Sequence, residues 1–136
     1  MPALLGESNV ELDEVARHID LAQESGLPST LTRIEPRLAQ ANRNIACPRN
    51  GGLTRPPGKE CDEYPFASTV QGGAAGGTAR VFDGCDLTII PGSGATGFSR
   101  CMVTKLDNRV AGRAILDLYY ERRVLPGDKY TVLITP

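Results

Sequence analysis

Two adjacent carboxylates followed by a Tyr-Pro-Phe triplet are the feature of the sequence that most suggests chemistry. Asp62 and Glu63 lie in the segment CDEYPFAS, residues 61–68. A carboxylate can take a proton from water, and its oxygens are ligands that suit Mg²⁺ or Mn²⁺. Neighbouring side chains on an extended chain point to opposite faces, so at most one of the two is expected to face a given reaction centre. A solvated acidic pair beside a turn is the alternative.

A second polar cluster, Asp107-Asn108-Arg109, lies at the predicted start of an amphipathic helix. The free backbone N–H groups and the dipole at such a start favour an anionic substrate. The amide oxygen of Asn is a further ligand for a hard cation, and Arg matches phosphate oxygens. The two clusters together offer a base, metal ligands and a cation, which phosphodiester hydrolysis requires.

Helices are predicted on both sides of these clusters. The capping box from Ser8 to Glu11 and the apolar spacing after it predict a first helix that ends at Gly26. A second, less regular helix is expected over residues 31–45, with an interruption at Pro36. A last helix, capped by Asp107 or Asn108, is expected to end near residue 123.

Strands are predicted in the centre of the chain and at its end. The central ones cover residues 80–82, 87–90 and 98–103, with a turn over residues 91–97 before the last of them. A closing strand covers residues 129–134. This order of helices, strands, helix and strand predicts an α+β fold with a strand-rich centre.

Length, charge and hydropathy restrict the class of protein. The 136 residues, 40% hydrophobic and 23% charged, predict one globular domain over residues 1–136. A net charge of −1 argues against a protein that coats DNA by bulk charge. No apolar run is long enough for a membrane-spanning helix, and the start of the chain lacks the pattern of a signal peptide, so we expect a mature or excised domain.

The four cysteines permit three disulfide pairings and lack the paired spacing of a zinc site. Two disulfides are favoured over four free thiols. Pairing Cys47 with Cys61, and Cys85 with Cys101, would close two short loops and imply an oxidising destination. A thiol nucleophile at Cys61 is disfavoured because no His lies nearby in sequence. The only histidine, His18, is assigned a structural or surface role.

The motifs, taken in order, resemble one known family. The run KECDEYPFAST (residues 59–69), the following QGG, the element DNRVAG (residues 107–112) and the terminal GDKYTV are similar to the NucA/NucB family of small bacterial extracellular DNases. The resemblance covers residues 47–134. Residues before it resemble the lead-in found when this nuclease is the C-terminal toxin module of a secreted bacterial protein. We therefore expect a helical lead-in over 1–46 and a nuclease core over 47–136.

The resemblance implies a small ββα-metal-like nuclease with one active-site helix and assigns roles to its residues. Asp62 is then the base, with Glu63 beside it as a catalytic or metal-orienting group. Asn108 is a metal ligand, Asp117 supports the same site, and Arg109 also takes part in catalysis. Phosphate would be bound by Arg109 and Arg113.

The function implied is a secreted, largely sequence-nonspecific DNA endonuclease that uses Mg²⁺ or Mn²⁺, either as a free DNase or as an antibacterial toxin domain. DNA is the expected partner, a cognate immunity or inhibitor protein is a further candidate, and a monomer without membrane association is expected. Two alternatives stay open at this point. One is a non-catalytic nucleic-acid-binding or effector module, and the other is an RNase.

Overall fold

The computed structural model describes residues 5–6, 13–49 and 51–135 and confirms the α+β prediction. Two short 3-10 helices, Pro36–Leu38 and Gly73–Ala75, accompany three α-helices. The α-helices are α1 (Asp13–Glu24), α2 (Ala39–Ala46) and α3 (Lys105–Glu121). The strands are β1 (Leu5–Gly6), β2 (Thr30–Thr32), β3 (Lys59–Tyr64), β4 (Ala79–Arg80), β5 (Phe98–Thr104), β6 (Lys129–Thr131) and β7 (Ile134–Thr135).

The central sheet has the strand order β3–β5–β4 and continues directly into a helix. Strands β3 and β5 are antiparallel over six residue pairs, from Lys59 opposite Thr104 to Tyr64 opposite Ser99, and β4 adds to β5 in parallel. Thr104 ends β5 and is also the N-cap of α3. The result is a strand–strand–helix unit, which is the arrangement that the resemblance implies.

Helices cover both faces of the β3–β5 pair. On one face, residues of β3 bond to His18 of α1 and to Asn108 of α3. On the other, Arg100 of β5 donates to the Ala46 carbonyl at the end of α2, 2.7 Å away. Successive side chains alternate between the two faces of a strand. Each residue of β3 is therefore assigned either to the face covered by α1 and α3 or to the face covered by α2.

Helix α1 follows the predicted pattern as far as the structure describes it. Val15, Ile19 and Ala22 are buried in the core, as their helical spacing predicts. The helix ends at Glu24, two residues before Gly26, whose φ of 110° is open to glycine but strained for other residues. The Leu27 N–H closes the turn onto the Ala22 carbonyl. The predicted capping box, Ser8 to Glu11, lies outside the described residues.

Four predicted elements differ from the structure. The closing strand predicted over residues 129–134 is two strands, β6 and β7, separated by Val132 and Leu133. Leu31 lies in β2, where pairing with β6 replaces the start of the predicted second helix, which begins only at Ala39. Residues 87–90 form no strand and contribute one bridge, from Ile90 to Val81. Helix α3 starts at Lys105 because Thr104, rather than Asp107 or Asn108, caps it.

Distant parts of the chain share one core. Strand β1 pairs with β7 and β2 pairs with β6, so elements near the two ends of the chain lie side by side. Buried residues from Val15 to Val132 belong to a single hydrophobic cluster. The division between a lead-in and a nuclease core at residue 46 stays a sequence-based prediction. No helix in the described ranges is long and apolar enough to cross a membrane.

The cysteines form the two sequential disulfides, Cys47–Cys61 and Cys85–Cys101, and none is free. The first joins the end of α2 to the middle of β3. The second joins the loop before β5 to that strand. A thiol nucleophile at Cys61 is therefore excluded in this oxidised form, and both strands of the central pair are cross-linked to neighbouring segments.

Replacing Cys47 and Cys61 together by Ala is expected to lower the free energy of unfolding by about 3 kcal/mol, because the disulfide closes a loop with a sequence separation of 14. Denaturant unfolding of the double variant and the wild type, each in a non-oxidising and in an oxidising buffer, measures the difference in the free energy of unfolding. The wild type in strong reductant is the matched control and should lose stability further, since both bridges then open. Unchanged stability of the double variant would contradict a structural role for this bridge.

Candidate active site

One face of β3 carries a polar cluster formed by Glu60 and Asp62. Alternation along the strand places their side chains on the face covered by α1 and α3. Glu60 contacts α3, and Asp62 contacts α1. Two helices and one strand thus meet at these two carboxylates, and the adjacent Glu63 is assigned to the other face.

Glu60 holds the two polar residues at the start of α3. Its Oε1 accepts a hydrogen bond from Asn108 Nδ2 at 3.1 Å, and its Oε2 accepts from Arg109 at 3.0 Å. The hydrogen bond from Asn108 lowers the pKa of the Glu60 carboxyl, against the opposing effect of burial, and Arg109 lowers it further. Glu60 therefore favours its ionised form and fixes the orientation of the Asn108 amide.

Asp62 is held by a buried histidine. His18 Nδ1 lies 2.6 Å from Asp62 Oδ2, and His18 Nε2 lies 2.7 Å from Ser99 Oγ on the neighbouring strand. An ionised carboxylate can only accept hydrogen bonds, so Nδ1 is the donor. The His18 side chain is fully buried, whereas 13% of the Asp62 side chain is exposed. Asp62 is therefore the member of the pair that a substrate or water can reach.

Glu63 lies on the other face of β3, where the register of the sheet pairs it with Arg100 of β5. Its Oε1 is inaccessible and has no hydrogen-bond partner among the described residues. Burial and, to a smaller extent, the neighbouring Asp62 raise the pKa of the Glu63 carboxyl to about 8, against the opposing effect of Arg43 of α2. The structure does not bring Glu63 to Asn108, so its predicted role beside the metal has no geometric support.

The raised pKa of Glu63 predicts that the contribution of this group to stability falls as pH rises from about 4.5 to about 8. The folded state binds the Glu63 proton more tightly than the unfolded state does. The stabilisation from this proton is therefore complete at pH values below the pKa of the unfolded state and is lost above the pKa of the folded state. Glu63→Gln keeps the shape and removes the charge. It should therefore be more stable than the wild type at pH 8.5, by up to roughly 4 kcal/mol, and nearly equal to it at pH 4.5.

Unfolding free energies of both proteins at the two pH values test this prediction, and the difference between the proteins removes the contribution of all other titrating groups. A difference in unfolding free energy between the two proteins that does not change with pH would contradict the raised pKa of Glu63.

Several backbone donors at the start of α3, where the sequence suggested an anion site, are engaged within the protein. The Asp107 N–H donates to the Thr104 hydroxyl, and the Thr104 N–H donates to Glu14 of α1. The Lys105 N–H donates to the Gly58 carbonyl at 3.1 Å. The first-turn N–H groups of Lys105 and Asp107 are thus engaged within the protein, which favours side chains as the phosphate-binding groups here.

The predicted residues further along α3 lie apart from the cluster. Asp117 pairs with Arg113 at 3.1 Å, and both side chains are exposed. Nine residues on a helix amount to two and a half turns, which places Asp117 about 13 Å along the axis from Asn108 and on the opposite side of the helix. Asp117 is thus not brought to Asn108, and its ion pair occupies Arg113. Arg109, whose side chain is 69% exposed, stays at the cluster.

Sequence interpretation missed Glu60 and left His18 with a structural or a surface role. Glu60 had a signal, since it is two residues before Asp62 and such residues share a strand face. His18 is not at the surface, and it contacts the candidate base. No group of three or more His, Cys, Asp or Glu side chains that could hold a metal occurs among the described residues. A separate open groove at the end of α3, which includes Arg33 and Tyr120, contains no residue of the cluster.

Comparison with known proteins gives one family. The model of the deoxyribonuclease NucA/NucB family matches residues 22–133. The matched region includes β3, β5 and α3, and hence Glu60, Asp62 and Asn108, whereas His18 precedes it. No curated protein matches the chain at a significant level. A match over most of the chain confirms the resemblance seen in the sequence motifs.

Proposed function

Because the chain belongs to the deoxyribonuclease NucA/NucB family, we propose that it is a metal-dependent DNA endonuclease in which Asp62 is the general base. The observation that carries this proposal is the shared face of β3, where Asp62 lies two residues from Glu60 and Glu60 holds Asn108. The proposed base Asp62 and the Glu60 carboxylate lie on β3, and α3 adds the Asn108 amide and the Arg109 guanidinium.

Asp62 is suited to take the proton of the attacking water. Its Oδ2 is committed to His18, so Oδ1 is the oxygen that a water can use. As the water oxygen forms a bond to phosphorus, its proton passes to Asp62, and the bond from phosphorus to the leaving sugar oxygen breaks. His18 is not the base in this scheme because it is fully buried and both of its ring nitrogens are engaged.

The donor set at the cluster fits a hard divalent cation. Asn108 Nδ2 is the amide atom committed to Glu60, so Asn108 Oδ1 is the atom available as a ligand, beside the Glu60 carboxylate. Mg²⁺ is typically held by one or two carboxylates together with water and substrate phosphate oxygens. When bound, Mg²⁺ or Mn²⁺ would stabilise negative charge on the phosphate and on the leaving oxygen.

Arg109 is the phosphate-binding group at the cluster. Its contact with Glu60 uses one of five N–H donors and fixes the side chain beside the site while leaving it largely exposed. A single exposed ion pair of this kind contributes little to stability, which favours a role in substrate binding. Arg113 is a weaker candidate because it is paired with Asp117.

The two disulfides support an oxidising destination, so we place the enzyme outside the cytosol. Delivery as a toxin domain, a cognate inhibitor protein and a monomeric state stay predictions.

Cleavage of a closed circular plasmid tests the function. With Mg²⁺ or Mn²⁺, the protein should give nicked and then linear or smeared DNA, because contacts to the backbone carry little sequence information. EDTA should abolish the activity, and excess metal should restore it. Activity that persists in EDTA would contradict metal dependence. Discrete fragments from one short recognition sequence would contradict the lack of specificity, and cleavage of linear DNA alone would indicate an exonuclease.

A further inference from the structure

Helix α1 brings to the site a residue that lies before the family-matched region. The match begins at Ala22, and His18 precedes it on the same helix. We propose that His18 is a positioning residue, which holds the Asp62 carboxylate in the orientation needed to take a proton from water. This inference rests on the proposed role of Asp62 as the general base.

The contacts of His18 fix its ring at both nitrogens. Nδ1 donates to Asp62 at 2.6 Å, and Nε2 is fixed by Ser99 on β5 at 2.7 Å. The ring is fully buried, so solvent does not compete for either bond. With Oδ2 held in this way, the Asp62 carboxylate cannot rotate freely, and Oδ1 is left as the oxygen that is not bonded to His18. A fixed acceptor reacts faster than one that must be ordered in each turnover.

The first turn of α1 is anchored to the elements that carry the other site residues. The Glu14 N–H donates to Asp107 of α3 at 2.9 Å, and Glu14 in turn accepts from the Thr104 N–H at 3.2 Å. Lys59 of β3 also donates to Glu14, at 3.2 Å. His18 is four residues after Glu14, one helical turn away. Asp107, next to the proposed metal ligand, therefore helps to set the position of His18.

A buried histidine with both nitrogens bonded could also have a purely structural role. The structural role and the positioning role differ in which ring nitrogen of His18 has to keep its hydrogen bond. A structural role depends on the bonds to both Asp62 and Ser99, whereas positioning depends on the Nδ1 bond to Asp62. Two amide replacements separate these bonds, because the Asn amide nitrogen reaches the place of Nδ1 and the longer Gln amide reaches towards Nε2.

The experiment compares kcat and KM for plasmid cleavage by His18→Asn and His18→Gln, each at a temperature where thermal unfolding shows it to be folded. His18→Gln should lower kcat by roughly 10- to 100-fold with little change in KM. His18→Asn should recover most of that loss. Equal losses in kcat for both variants, or wild-type kcat in His18→Gln, would overturn the proposal.

Asp62→Asn, alone and combined with His18→Gln, separates this inference from the proposed function. If His18 acts through Asp62, His18→Gln adds no further loss in the Asp62→Asn background. An inactive Asp62→Asn beside a fully active His18→Gln overturns the positioning role alone, whereas a fully active Asp62→Asn overturns both proposals.

Nuclear magnetic resonance of the wild type gives a test that depends on no variant. The Nδ1 proton of His18 should give a downfield signal protected from exchange, and its absence would also overturn the proposal.

Discussion

Replacing Asp62 by Asn is expected to slow DNA cleavage by at least about 100-fold, because the amide keeps the size of the side chain and cannot accept the proton of the attacking water. The fold should survive, since an Asn Oδ1 can still accept the hydrogen bond from His18. Single-turnover cleavage of a short duplex with saturating metal measures the chemical step. Thermal unfolding of the variant in the oxidised form is the control for folding.

Near-wild-type turnover of Asp62→Asn would remove Asp62 from this role. The next candidate would then be Glu60, which shares the face of β3, rather than Glu63, which does not.

Replacing Asn108 by Ala is expected to raise the concentration of Mg²⁺ or Mn²⁺ needed for half-maximal activity by roughly tenfold or more. DNA binding should weaken less, because the change removes a proposed metal ligand and leaves Arg109 in place. Metal titrations of cleavage, with DNA affinity measured separately, provide the test.

Asp117→Asn is the matched control for Asn108→Ala, since it removes a metal-ligand candidate on the same helix that pairs instead with Arg113. Its metal dependence should equal that of the wild type. The assignment of Asn108 would be contradicted by an unchanged titration in Asn108→Ala, or by equal shifts in both variants.

Sequence periodicity predicted the elements whose pattern is local. The helical spacing of Val15, Ile19 and Ala22, and the Gly26 stop, predicted most of α1. Strand β5 and helix α3 were predicted with small errors at their boundaries. The error at Leu31 has a tertiary cause, because β2 is stabilised by pairing with β6, about 100 residues further along the chain.

Part of the site was also within reach of the sequence. Alternation on an extended strand correctly separated Asp62 from Glu63, and the same rule would have added Glu60. His18 lies three residues after Val15 and four before Ala22, on the apolar face of the helix. That spacing predicts burial. It does not predict the partner, because Asp62 is 44 residues away and only the packing of α1 against β3 brings the two together.

The relative cleavage rates of Asp62→Asn and Glu63→Gln provide the most direct test of the account. These residues are neighbours in the chain, yet the structure assigns them to opposite faces of β3, one at the site and the other beneath α2. We expect Glu63→Gln to cut plasmid DNA at pH 7 within about threefold of the wild-type rate, and Asp62→Asn to be at least about 100-fold slower. Equal losses in the two variants, or the larger loss in Glu63→Gln, would contradict a site on the Glu60 and Asp62 face.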